Sequence, residues 1–100
     1  MANNDSRPKS CFLLRVHGVV QGVGYRSLVA SIAKKHGILG YVKNMEDGSV
    51  EVKAFGTAAE LELFMEEINV SYDGGPSVFS IEKIPAHIDN SSPSEFETVW

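Results

Sequence analysis

Val16-His17-Gly18-Val19-Val20-Gln21-Gly22-Val23-Gly24-Tyr25-Arg26 is the stretch on which the fold turns. It begins as the end of a short apolar run, Cys11 to Val16, which is consistent with an interior strand. It ends where the periodicity changes: Tyr25, Leu28, Val29, Ile32 and Ala33 recur at helical spacing. Lys34, Lys35 and His36 fall in the last turn of that helix, and Gly37 can close it. Strand, tight glycine loop and helix are therefore legible from pattern. A glycine-rich loop that opens a helix is suited to anions, because its backbone N–H groups can converge and the helix N-terminus adds unpaired donors and partial positive charge. Arg26, just inside the helix, adds a planar fork that matches two oxygens of a phosphate.

Spacing excludes the common nucleotide loops. A Walker loop needs four residues between its glycines and a following Lys, whereas three separate Gly18 from Gly22 and no Lys follows. A dinucleotide fingerprint needs a third glycine where Ser27 stands.

Outward from the loop, Leu39 to Asn44 reads as the next strand. Glu46-Asp47-Gly48 is a hairpin signal. Ser49 to Phe55 alternates, with Val50, Val52 and Ala54 on one face, and Gly56 is expected to stop it. Thr57-Ala58-Ala59-Glu60 is a capping box, and Leu61, Phe64, Met65 and Ile68 form the stripe of a second helix. Val78 to Ile84 alternates as a fourth strand, Pro85 to Pro93 is a polar connection, and Glu95 to Trp100 can form a short last strand. Residues 1–10 carry no periodicity and are expected to be a flexible arm, leaving residues 11–100 as one domain. The order is that of an α+β, ferredoxin-like sandwich: βαββαβ plus a short C-terminal strand, an antiparallel sheet with two helices on one face. In that arrangement the first and second strands run parallel with the third between them. The glycine loop and Asn44 then share one edge, two inter-strand spacings or about 9–10 Å apart.

The totals bound the function. The chain has 100 residues, 43% of them hydrophobic, enough for one core. No apolar run approaches the ~20 residues of a membrane span, and the first ten residues lack the apolar centre of a signal peptide. A lone cysteine, Cys11, has no partner for an internal disulfide. These features favour the cytoplasm and no membrane partner. The net charge of −4 argues against nucleic acid, and the aromatic pattern of an RNA-recognition sheet is missing. His17, His36 and His87 lack metal-ligand spacing, so no metal is expected.

The loop resembles the first motif of the acylphosphatase family, Val-x-Gly-x-Val-Gln-Gly-Val-x-Phe/Tyr-Arg, with every fixed position filled between Val16 and Arg26. Gly40 to Glu51, Gly-Tyr-Val-Lys-Asn-Met-Glu-Asp-Gly-Ser-Val-Glu, resembles the family's second motif. The resemblance runs from about Cys11 to Trp100. It implies hydrolysis of a small-molecule acyl phosphate to a carboxylate and inorganic phosphate, without metal or cofactor, by a monomer. It places the catalytic roles on Arg26 and Asn44, with phosphate held by Arg26 and by backbone N–H groups of Val19, Val20, Gln21, Gly22 and Val23. Asn44 has no useful pKa, so its role is to orient the attacking water; the proton acceptor is then a phosphate oxygen of the substrate or, alternatively, Glu46 or Asp47. Relatives often carry Thr or Ser after the asparagine, where Met45 stands here. They commonly end in an aromatic residue whose carboxylate lies near the arginine, the place the resemblance offers Trp100. The rival reading is a phosphate-sensing module that keeps the cradle and turns nothing over.

Overall fold

The computed structural model describes residues 9–86 and 94–99. Most of the expected N-terminal arm, most of the Pro85–Pro93 connection, and Trp100 lie outside them. The elements are β1 (Lys9–Val19), α1 (Tyr25–His36), β2 (Leu39–Asn44), β3 (Val50–Thr57), α2 (Ala58–Ile68), β4 (Ser77–Pro85) and β5 (Phe96–Val99). They form one sheet in the order β4-β1-β3-β2-β5. The fold is the expected α+β ferredoxin-like one, with β3 inserted antiparallel between β1 and β2. The sheet is mixed, because β5 runs parallel to β2 from Gly40↔Phe96 to Lys43↔Val99.

Alternation decides which sheet face is covered. Leu14 and Val16 of β1, Val42 of β2, and Val50, Val52 and Ala54 of β3 are buried on the helix-facing side. Val29, Ile32 and Ala33 of α1 and Leu61, Phe64 and Ile68 of α2 close over them. The opposite face carries a row of alternating charge across the sheet, Glu82–Arg15–Glu51–Lys43, of which Arg15 and Glu51 pair at 3.1 Å. Glu51 also accepts from the Tyr41 hydroxyl at 2.7 Å; burial and that carboxylate push the phenol up to about 12.

Three features differ from the sequence pattern for physical reasons. β1 starts earlier and ends later than its apolar run, because Lys9 and Ser10 pair with Thr57 and Gly56, and Val19 pairs with Ser77. Gly56 lies inside β3 and does not stop it: Ile38 and Glu60 fill the space where a side chain would stand. The alternation expected along β4 is interrupted at Phe79, an extra residue between the pairs His17↔Ser80 and Gly18↔Val78. Opposite this bulge, a Cβ on Gly18 would lie 2.2 Å from the Ser77 carbonyl oxygen, so only glycine lets the two backbones approach.

Candidate active site

The two helices end their N-termini differently. α2 satisfies its own: the Thr57 hydroxyl accepts from Glu60 N–H at 3.2 Å, and the Glu60 carboxylate accepts from Thr57 N–H at 2.8 Å. α1 has no such device. Its N-cap is Gly24, with no side-chain cap and no acidic residue in the first turn. Among the described residues, no carboxylate in the first turn offsets the helix dipole at this end. Gly22 and Gly24 take positive φ, 75° and 79°, which turns the loop tightly enough to deliver the chain from β1 into α1.

Between this loop and the ends of β2 and β5 lies a cavity of about 170 Å³, lined by Val20, Gly22, Gly24, Tyr25, Arg26, Ser27, Asn44 and Thr98. The topology explains why these residues meet. β1, β2 and β5 all run the same way, so the end of β1, the end of β2 and the end of β5 reach one edge. Arg26 Nη1 donates to the Val99 carbonyl at 2.9 Å, which ties the guanidinium to the terminal strand. Asn44 is half-buried, and its Oδ1 is buried without a hydrogen-bond partner among the described residues. A buried acceptor left unpaired costs about 1–3 kcal/mol, which makes it the atom of this cavity most in need of a donor from a ligand or water.

Of the residues singled out from the sequence, Val20, Gly22, Arg26 and Asn44 come together at this cavity. Val19, Gln21 and Val23 do not line it. Val19 is the last residue of β1, half exposed and paired with Ser77. Val23 packs against the core. The Gln21 side chain turns to the β2–β3 hairpin, where Nε2 donates to Met45 O at 2.7 Å and Ser49 O at 2.8 Å. Four lining residues were not singled out: Gly24, Tyr25, Ser27 and Thr98. Tyr25 is the fully buried anchor beneath the loop; its hydroxyl donates to Ile68 O at 2.8 Å, and burial raises its pKa. Gly24 and Ser27 flank the motif's own Tyr and Arg and could have been found from it. Thr98 could not, because its place depends on the pairing of β5 with β2.

Of the hairpin acids, Asp47 is held by the turn itself. Asp47 accepts from both the amide and the hydroxyl of Ser49, and these bonds hold its carboxyl below the usual range. Neither Glu46 nor Asp47 lines the cavity.

A family model described as Acylphosphatase matches residues 12–98. Among solved structures, an acylphosphatase from Bacillus subtilis is 33% identical with a TM-score of 0.78, over 90% of this chain and 98% of that one. An acylphosphatase from Coxiella burnetii is 26% identical with a TM-score of 0.77, over 91% and 93%. HypF from T. kodakarensis is 29% identical with a TM-score of 0.77, over 93% of this chain and 12% of that one.

Proposed function

This chain belongs to the acylphosphatase family, and from that premise we propose that it hydrolyses acyl phosphates with Arg26 and Asn44 as catalytic residues. The observation that carries the proposal is the cavity: it joins the guanidinium-bearing first turn of an uncapped helix to a carboxamide whose buried oxygen has no partner among the described residues. The reaction is R–CO–O–PO₃²⁻ + H₂O → R–COO⁻ + H₂PO₄⁻. The bond from phosphorus to the acyl oxygen breaks, a bond from water oxygen to phosphorus forms, and both water hydrogens end on the phosphate.

The leaving carboxylate is already a stable anion, so the phosphoryl group departs through a loose transition state and little is demanded of the nucleophile. The protein's work is positioning and charge neutralisation. Arg26 and the loop N–H groups hold the phosphate oxygens. Asn44 Oδ1 accepts a hydrogen bond from the attacking water and aims it at phosphorus. The proton goes to a substrate phosphate oxygen. Of the rival bases, Asp47 is engaged by Ser49 and made less basic by it, and neither it nor Glu46 lines the cavity. Chemistry of this kind requires neither a metal nor a covalent intermediate.

The test is hydrolysis of benzoyl phosphate, with Arg26→Lys as the informative variant. An ammonium cannot reproduce the bidentate fork, so kcat/KM should fall by on the order of 10²–10³. Near-normal kcat/KM would refute the role. The match to HypF, in which this fold accounts for 12% of a longer chain, favours one alternative: a phosphate-binding module of a larger assembly. Phosphate binding without turnover by the wild-type chain would select it.

A further inference from the structure

We infer that Gln21 is a positioning residue that sets Asn44 against the phosphate loop, acting through its side chain; this rests on the reading of Asn44 proposed above. Gln21 lies in the loop, yet its carboxamide spans to the hairpin that follows Asn44. Both atoms it meets are carbonyl oxygens, Met45 O at 2.7 Å and Ser49 O at 2.8 Å. Carbonyls only accept, so the amide nitrogen must face them, and its two N–H groups are both consumed.

These two carbonyls are the hinge points of the turn. Met45 O also accepts from Gly48 N–H at 3.2 Å, and Ser49 O also accepts from Met45 N–H at 2.9 Å. Asp47 closes the same turn through Ser49. Gln21 therefore grips a rigid box at both ends, and Asn44 is the residue immediately before it. No other hydrogen bond given by a loop side chain from Val20 to Gly24 reaches the hairpin among the described residues. The sheet pairing brings Asn44 and the loop to one edge, through Val16↔Val50 and Asn44↔Val50, and the Gln21 side chain adds the tie from the loop to the turn that follows Asn44. The Gln21 side chain does not line the cavity.

The experiment compares Gln21→Met and Gln21→Glu with wild type, using benzoyl phosphate turnover, inorganic phosphate binding and thermal melting. Gln21→Met keeps the length and removes both donors. A misplacement of this order costs on the order of 10–100-fold, so kcat should fall by that factor while phosphate Kd changes by less than about twofold. In an Asn44→Ala background the same substitution should cost almost nothing further in kcat, because the residue it positions is gone. Gln21→Glu should be the poorer enzyme at neutral pH, with a carboxylate facing two carbonyls. It should recover relative to wild type as pH falls and the carboxyl gains a proton to donate. A drop in Tm with unchanged kcat, or equal losses in kcat and phosphate affinity, would overturn the inference. A readout independent of turnover is the side-chain amide of Asn44 in ¹⁵N relaxation: rigid in wild type, mobile in Gln21→Met. An unchanged amide would overturn the inference. Absence of turnover in wild type would instead refute the hydrolase reading.

Discussion

Removing the Asn44 side chain should cost activity and leave stability almost unchanged. Its Oδ1 has no protein partner among the described residues, and it borders a cavity of about 170 Å³, room enough for water to donate to it in the free protein. Asn44→Ala removes that acceptor. It also removes packing, but the side chain is only half-buried and borders an open cavity. The loss is therefore on the order of 1 kcal/mol. The variant should therefore stay within about 1 kcal/mol of wild type in stability. For a domain of this size each kcal/mol moves Tm by roughly 4–8 °C. Turnover of benzoyl phosphate should fall on the order of 10²-fold, since the water loses its orientation. The assay pairs a thermal melt in phosphate-free buffer with anhydride loss at 25 °C. A variant less stable than wild type by more than about 1 kcal/mol would mean that Asn44 holds the fold together. Near-normal turnover would mean that it does not place the water. Either result refutes the reasoning.

Other consequences follow from particular contacts. Tyr25→Phe removes the 2.8 Å donor to Ile68 O, which keeps its 3.1 Å bond from Val70 N–H; chemical denaturation should show a loss of about 0.5–1.5 kcal/mol, with turnover retained because the ring stays. Gly18→Ala drives a Cβ to 2.2 Å from Ser77 O and 2.8 Å from Phe79 N; the β1–β4 bulge must shift, and denaturant titration should register at least the ~1–3 kcal/mol of an overpacked site. Glu67 is held below its usual value of 4.5 by hydrogen bonds from Lys35 and then His36. Its contribution is present above that value and is lost as pH falls through the lowered one. Tm compared with Glu67→Gln should show a wild-type advantage at pH 6 that shrinks as pH falls below 4.5; an advantage that does not shrink would contradict the assignment.

Much of the fold was legible because its determinants are local. The change of period at Tyr25, the Asp-Gly hairpin and the Thr57–Glu60 box each act within a few residues, and each appears where the pattern places it. The parallel course of β1 and β2, and so the meeting of Arg26 with Asn44, followed from connection rules acting on that order. What pattern could not reach depends on register between distant segments. Gly56 reads as a stop until Ser10 pairs with it. The bulge at Phe79 exists only against Gly18. Thr98 joins the cavity only because β5 lies parallel to β2. The Gln21 side chain is the instructive case: the motif marks the residue, but its partners are backbone oxygens of a turn more than twenty residues away, and carbonyls leave no trace in side-chain pattern.

The most direct measurement of the central claim is a crystal structure of this chain grown in phosphate. One phosphate should occupy the cavity between the loop and Asn44, with Arg26 donating to its oxygens and main-chain N–H groups of the loop turned inward. A cavity filled only by water at saturating phosphate, or an anion bound elsewhere, would contradict it.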